Sequence, residues 1–265
     1  AYNKTRKDDS REGLRILHRL KFNVPETYCL TVDAYERFVE ESALWPRIAD
    51  ILADSSLSSG IKAQKIGNVM AGAPFPGDLA EKIEEHRVIG RGSGSWAVRS
   101  SSNFEDLTDA SFAGIYDTFL NVERCDRIIE TVRKCWVSLW NERAIVYRER
   151  RGIAHGRARM AVIIQRMVPA RWSGVIFTVH PSAGALNTMV IEYCEGLGDA
   201  LVSGRVRPET ALVERDTGAV SHNGKQDSSL LPIGELALLS NIAMKAERAM
   251  GYPLDIEWAH DGESF

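Results

Sequence analysis

Apolar positions along this chain recur at two periods, one near 3.6 and one near 2, so helices and strands interleave. Leu14, Ile16, Leu17 and Leu20 predict an amphipathic helix that stops near Asn23, because Pro25 forbids its continuation. Residues 26–30 read as a short strand. Thr31 then reads as the N-cap of a second helix carrying Tyr35, Phe38 and Val39 on one face. Residues 55–77, rich in Ser, Gly and Pro, predict a connection around one short helix, and 90–95 a second flexible break before a strand at 96–99. The longest helix signal is 126–150, where Ile128, Ile129, Val132, Trp136, Leu139, Trp140 and Ile145 build one wide stripe. Its basic end, Arg148, Arg150 and Arg151, complements the negative end of the helix dipole. Strands follow at 160–168, 173–179, 189–193 and 211–214, then a helix at 234–250 and a strand at 254–259. The pattern is α+β, in two lobes.

Length agrees with that division, since 265 residues is near two domains at about 150 residues each. With 44% hydrophobic and 26% charged residues, the chain carries enough apolar surface to exclude a disordered protein. No apolar run approaches the ~18–20 residues that span a bilayer. Lys4, Arg6 and Lys7 precede no apolar segment, so no secretory signal is read and a cytoplasmic protein is expected. Lys and Arg total 33 against 36 Asp and Glu, and the net charge of −3 argues against a nucleic-acid partner. Cys29, Cys125, Cys135 and Cys194 form no Cys-x-x-Cys pair and no zinc spacing with histidine; they read as buried thiols in a reducing compartment. Cys125 and Cys135 stand ten apart on one predicted helix, roughly 15 Å along its axis, too far for a disulfide. His18, His86, His155, His180, His222 and His260 all read as surface or loop residues.

Three sequence blocks carry chemistry. The first runs through Ala97, Val98, Arg99 and three serines to Glu105, Asp106 and Leu107, then Ala110, Ser111, Phe112, Ala113 and Gly114, then 118–122. The second holds Gln165, Arg166, Met167 and Val168, the stretch Ser173, Gly174, Val175, Ile176, Phe177, Thr178, Val179 with Pro181, and Glu192 followed by Gly196, Gly198 and Gly204. The third is Asp255, Ile256, Glu257 and Trp258. Together they resemble the nucleotide-binding domain shared by phosphoenolpyruvate synthase, pyruvate phosphate dikinase and rifamycin phosphotransferase, over most of the chain from about Leu14 onward.

The resemblance implies an ATP-grasp fold, an N-terminal lobe at 1–168 and a C-terminal lobe at 169–265 clamping ATP. It places Arg99 on the nucleotide phosphates, a role suited to a guanidinium whose rigid donor fork stays charged. Without the resemblance, a structural ion pair to Glu105 or Asp106 explains Arg99 equally well. The 110–114 stretch resembles the family's phosphate-covering loop, with Gly114 and, secondarily, Ser111 in contact, since small residues let backbone N–H groups approach phosphate. Gln165, Met167 and Val168 belong to the hinge that reads the adenine edge through the backbone. Asp255 and Glu257 alternate along one strand and so share a face, and their hard oxygens suit Mg2+ bridging ATP phosphates.

Two family features are missing. The family's Gly-Gly-Lys lysine aligns with Ser10, and its Gln-x-Arg-Pro segment lies beyond Phe265, so the sequence reads as a fragment. Losing one such phosphate donor costs ~3–4 kcal/mol in the transition state. No segment resembles the histidine motif through which the family moves its phosphoryl group. The expected function is therefore the ATP-binding, phosphate-donating part of a phosphoenolpyruvate synthase-like dikinase, with a phosphohistidine swivelling domain and a phosphoryl-acceptor domain as partners. Alternatives are a rifamycin phosphotransferase, a split phenylphosphate-synthase-like ATP-binding subunit, and a degenerate nucleotide-binding scaffold without catalysis.

Overall fold

A computed structural model describes residues 10–85, 94–103, 106–107, 110–111, 115–181, 185–202, 204–222 and 231–265. The chain forms two compact units, Ala1–Met167 and Val168–Phe265. In the first, the order is α1 (Ser10–Arg19), β1 (Thr27–Leu30), α2 (Val32–Glu41), α3 (Leu44–Ala53), α4 (Ser59–Ala71) and α5 (Gly77–Glu85). Then come β2 (Trp96–Ser102), β3 (Asp106–Leu107), β4 (Ala110–Ser111), β5 (Thr118–Val122), α6 (Cys125–Ser138), α7 (Glu142–Arg150) and β6 (Met160–Arg166). Four of these strands make an antiparallel sheet in the order β1-β6-β2-β5, while β3 and β4 pair separately.

One face of the four-stranded sheet is the core. Trp96, Val98, Met160, Val162 and Ile164 point into it, against Phe38 of α2 and Ile128, Val132 and Trp136 of α6. The Trp136 ring stacks on Phe38 at 5.0 Å and on Phe75 at 5.5 Å. Fully burying rings of this size supplies a large part of the unit's stability.

Several local expectations change. The first helix ends at Arg19, before the proline has any say: Lys21 takes a left-handed φ of 60° and Phe22 N–H reaches back to Leu17 O. Thr31 stands at the predicted cap position, yet its side chain makes no cap bond and its hydroxyl donates to Asp33 instead. Residues 55–77 contain the thirteen-residue α4, because burying Ile66 and Met70 outweighs a glycine- and serine-rich composition. The single helix predicted at 126–150 is two. Asn141 divides it, accepting from Ala144 N–H at 2.8 Å and donating to Ile115 O at 2.6 Å, so it caps α7 and ties it to the chain before β5.

The basic end of α7 does more than complement the helix dipole. Arg148 is fully buried, donates to Leu139 O at 2.9 Å and to His155 Nδ1 at 3.0 Å, and lies 5.1 Å over the Trp140 ring. His155 is thereby a half-buried acceptor rather than a surface residue, and burial with the neighbouring guanidinium pushes its pKa down. The thiols also differ from expectation. Cys135 and Cys194 are buried, Cys125 is half-buried, and Cys29 is exposed.

The second unit comprises β7 (Trp172–Phe177), β8 (Thr188–Glu195), α8 (Asp199–Val202), β9 (Glu209–Glu214), β10 (Val220–His222), α9 (Ile233–Met250) and β11 (Asp255–His260). Its five strands are antiparallel in the order β10-β9-β8-β7-β11. Ile176, Ile191, Tyr193 and Trp258 face a core closed by Leu236, Leu239 and Ala243 of α9. His260, read from sequence as a surface residue, is buried, with its ring 5.4 Å from Trp172 and 4.6 Å from Phe265.

Gly174 is required where β7 meets β8. A Cβ there would stand 2.0 Å from Glu192 O and 2.8 Å from Tyr193 Cα, both backbone atoms. Gly174→Ala is expected to cost about 3 kcal/mol or more, read as a lowered midpoint in urea unfolding. A change below ~1 kcal/mol would contradict that close approach.

Candidate functional site

In the first unit, Arg99 and Gln165 lie on the face of the four-stranded sheet opposite its helix-backed core. Arg99, half-buried, sits in β2 across from Thr118 of β5 and Ile163 of β6, and Ile163 in turn pairs Cys29 of β1. Paired residues share a face, so Arg99, Ile163 and Cys29 form one row. Ala97, Gln165 and Thr27 form the next row on the same face. Arg99 and Gln165 are thus brought to one surface by the strand alternation that sends Val98 and Ile164 inward.

Gln165 is held in one orientation. The Thr27 hydroxyl donates to Pro25 O at 2.7 Å, so it can only accept from Gln165 Nε2, which it does at 3.1 Å. Strand β6 ends at Arg166; beyond it Met167 donates its N–H to Ser95 O at 2.9 Å, and Val168 O accepts from Ala170 N–H at 2.7 Å. The predicted hinge therefore straddles the division of the chain, with Gln165 and Met167 closing the first unit and Val168 opening the second.

Ser111 lies in β4 opposite Asp106, and its side chain is outside the described residues, as are Gly114 and the side chains of Glu105, Asp106 and Ser10. A shallow cleft of about 300 Å³ at the junction of β5 and α6, lined by Asn121, Glu123, Arg124 and Arg127, holds none of the predicted residues.

In the second unit, Asp255 and Glu257 are both exposed, while Trp258 between the same strands is buried. Strand β11 is an edge of its sheet, and register places Asp255 beside Phe177 and Glu257 beside Val175. The row of Glu257 continues through Val175 to Glu192 and Thr210, and that of Asp255 through Phe177 to Val190 and Leu212. The face away from α9 therefore carries Asp255, Glu257 and Glu192 around an apolar strip of Val175 and Phe177. Glu192 was quoted in the sequence only as part of a motif. Its place on this face follows from strand pairing, which a single sequence does not reveal. Among the described residues, no three His, Cys, Asp or Glu side chains gather closely enough to form a metal cage. Two carboxylates and a strip of apolar side chains can still bind a hydrated divalent ion beside a planar, partly apolar ligand.

The glycines of the second sequence block have local causes. Gly196, just after β8, takes a φ of +80°, and its carbonyl accepts from the buried Ser173 hydroxyl at 2.5 Å. This bond locks the turn after β8 to the start of β7.

Comparison with known proteins now adds to the geometry. Residues 11–231 match the family described as pyruvate phosphate dikinase, AMP/ATP-binding domain. That match stops short of β11. Individual relatives reach further: a probable phosphoenolpyruvate synthase from Methanothermobacter thermautotrophicus is 32% identical over 275 residues, covering 91% of this chain and 40% of that protein. A probable phosphoenolpyruvate synthase from Methanocaldococcus jannaschii is 32% identical, over 91% of this chain and 23% of that protein. A rifampicin phosphotransferase from Streptomyces sp is 33% identical, over 91% of this chain and 31% of that protein. The chain thus spans between about a quarter and two-fifths of the length of these relatives. With most of its residues matched in the family's order, the chain belongs to the pyruvate phosphate dikinase AMP/ATP-binding domain family.

Proposed function

We propose that this chain is the ATP-binding, phosphate-donating domain of a phosphoenolpyruvate synthase-like dikinase, built as an ATP-grasp domain in which both units contribute to the nucleotide site. The observation that carries this reading is the pair of exposed carboxylates, Asp255 and Glu257, on the helix-free face of a sheet in a chain of this family. Carboxylates on that face could hold the divalent cation that would offset the charge of the ATP phosphates.

The donor set fits Mg2+. This ion prefers hard oxygen, keeps several waters, and binds through one or two carboxylates plus substrate phosphates rather than an all-protein cage. Asp255 and Glu257, spaced by one residue and so about 7 Å apart along the strand, would hold it. When bound, the ion offsets the charge that develops on the transferred phosphoryl group.

The remaining roles belong to the chain itself. Arg99 orients the phosphates through its fork, and Ser111 and Gly114 cover them. Gln165, fixed by Thr27, presents its amide oxygen toward the base. Met167 and Val168 supply hinge backbone groups. With Ser10 at the position of the family lysine, Arg99 is the cation assigned to the phosphates. The phosphoryl group then passes to a histidine on a separate swivelling domain and onward to an acceptor domain. The free state of all four cysteines suits a reducing cytoplasm. Because a rifampicin phosphotransferase is as similar as the synthases, a rifamycin acceptor is the second reading.

The test is transfer in trans. The chain, labelled ATP and Mg2+ should place label on the histidine-bearing domain of a homologous phosphoenolpyruvate synthase. An unlabelled histidine domain, shown competent with its own ATP-binding domain, would contradict the proposal.

A further inference from the structure

Thr178 lies in the sequence stretch that begins at Ser173, and none of the roles above uses it. It is fully buried, one residue beyond the end of β7. Its N–H donates to Leu254 O at 2.9 Å, as an antiparallel pair requires. The reciprocal bond is substituted: Leu254 N–H donates to Thr178 Oγ1 at 2.8 Å, and the Thr178 carbonyl accepts from Arg215 Nη1 instead. Arg215 forks the Glu247 carboxylate of α9 at 2.6 and 3.0 Å, and this pair is largely shielded from solvent. Burial alone would raise the Glu247 pKa, yet the Arg215 fork and a bond from the Thr178 hydroxyl hold it below the usual carboxylate range.

This arrangement has a geometric result. Gly251, at a left-handed φ of +79°, turns the chain off α9 with its N–H on Glu247 O at 2.7 Å, and Leu254 precedes Asp255 directly. Both ends of the short link from α9 to β11 are thus tied to the same cluster. The Thr178 hydroxyl stands in for its own carbonyl on the Leu254 N–H and leaves that carbonyl to Arg215, a substitution that valine at 178 could not make.

We propose that Thr178, with the Arg215–Glu247 pair behind it, is a positioning residue that sets the start of β11 and thereby aims the Asp255 and Glu257 carboxylates at the metal. The inference rests on the proposed metal role of those two carboxylates. It extends to the neighbouring link: the cluster is a rigid mount in which α9, the turn after β9, and β7 together fix one strand end. Residues shaping the surroundings of metal ligands typically change metal affinity by about 10- to 100-fold.

The experiment uses the 265-residue chain with ATP and Mg2+ as probes. Calorimetric ATP binding is titrated against Mg2+ for the parent chain and for Glu257→Gln, Thr178→Val, Thr178→Ser and Glu247→Gln. Thr178→Val and Glu247→Gln should each raise the Mg2+ concentration for half-maximal effect by about tenfold. ATP affinity in EDTA should stay unchanged, and Thr178→Ser should restore the parent value. In metal-free chain, Leu254 N–H should exchange with solvent at least about tenfold faster in Thr178→Val, and at the parent rate in Thr178→Ser. A purely structural role would lower the melting temperature in these variants without moving the Mg2+ dependence, and that result overturns the inference while leaving the Glu257 effect intact. If Glu257→Gln itself leaves the Mg2+ dependence unchanged, the metal reading falls and the positioning inference with it. Should Thr178→Val fail to fold, Glu247→Gln decides by the same criterion.

Discussion

Replacing Glu257 with glutamine is expected to cut Mg2+-dependent phosphoryl transfer by about a hundred- to a thousandfold, the scale seen when one charge-stabilising contact is removed from a transition state. The substitution is nearly isosteric and its site is exposed, so the ligand-free chain should melt within about 2 °C of the parent. That separation is the diagnostic feature. Glu257 is on the outer face of an edge strand, away from Trp258 and the α9 core, so the hydrophobic packing does not depend on it. Transfer is measured as label on the histidine domain over time. A loss below about fivefold would show that the carboxylate does not carry the metal.

The second large effect is at Arg99. Arg99→Ala should reduce transfer by about a hundredfold or more, ~3 kcal/mol, and should raise the ATP concentration needed for half-maximal rate. Arg99→Lys should recover only part, because an ammonium keeps the charge but loses the planar fork. The sheet position separates the arginine from the main packing: its row of Ile163 and Cys29 faces away from the helix-backed core. An equal melting loss in Arg99→Ala and Arg99→Lys, with transfer unchanged, would return Arg99 to the structural ion-pair reading.

How far the sequence led depends on which interactions decide each feature. β-Branched runs such as those of β6 and β8 are buried on both faces, and their strands are legible because local preference and burial agree. Asp255 and Glu257 were legible for the same reason, since alternation alone puts them on one face. The division at Asn141 was not, because a polar residue inside an apolar stripe looks like the exposed side of one long helix. Only its bonds to Ala144 and Ile115 reveal the cap. Arg148 was misjudged because dipole complementarity is a local argument, whereas its burial depends on Leu139, Trp140 and His155 closing around it. Composition showed α4 only as one short helix within a connection, where tertiary burial overrides weak propensity and carries it to thirteen residues. Glu192 and Thr178 needed strand register, which comes from pairing between segments far apart in the chain. The motifs marked all of these residues as belonging together without saying what each one does.

The central claim is that Mg-ATP binds this chain through Arg99 and the Asp255–Glu257 face. Its most direct test is thermal unfolding of the chain with and without Mg-ATP, repeated on Arg99→Ala and Glu257→Ala. Ligand at a hundred times its dissociation constant stabilises by ~2.7 kcal/mol, or on the order of 5–10 °C for a protein near this size. A shift of that order in the parent chain, abolished by each substitution, is the predicted result. A parent chain whose melting temperature does not move with saturating Mg-ATP, or whose shift survives both substitutions, would contradict it.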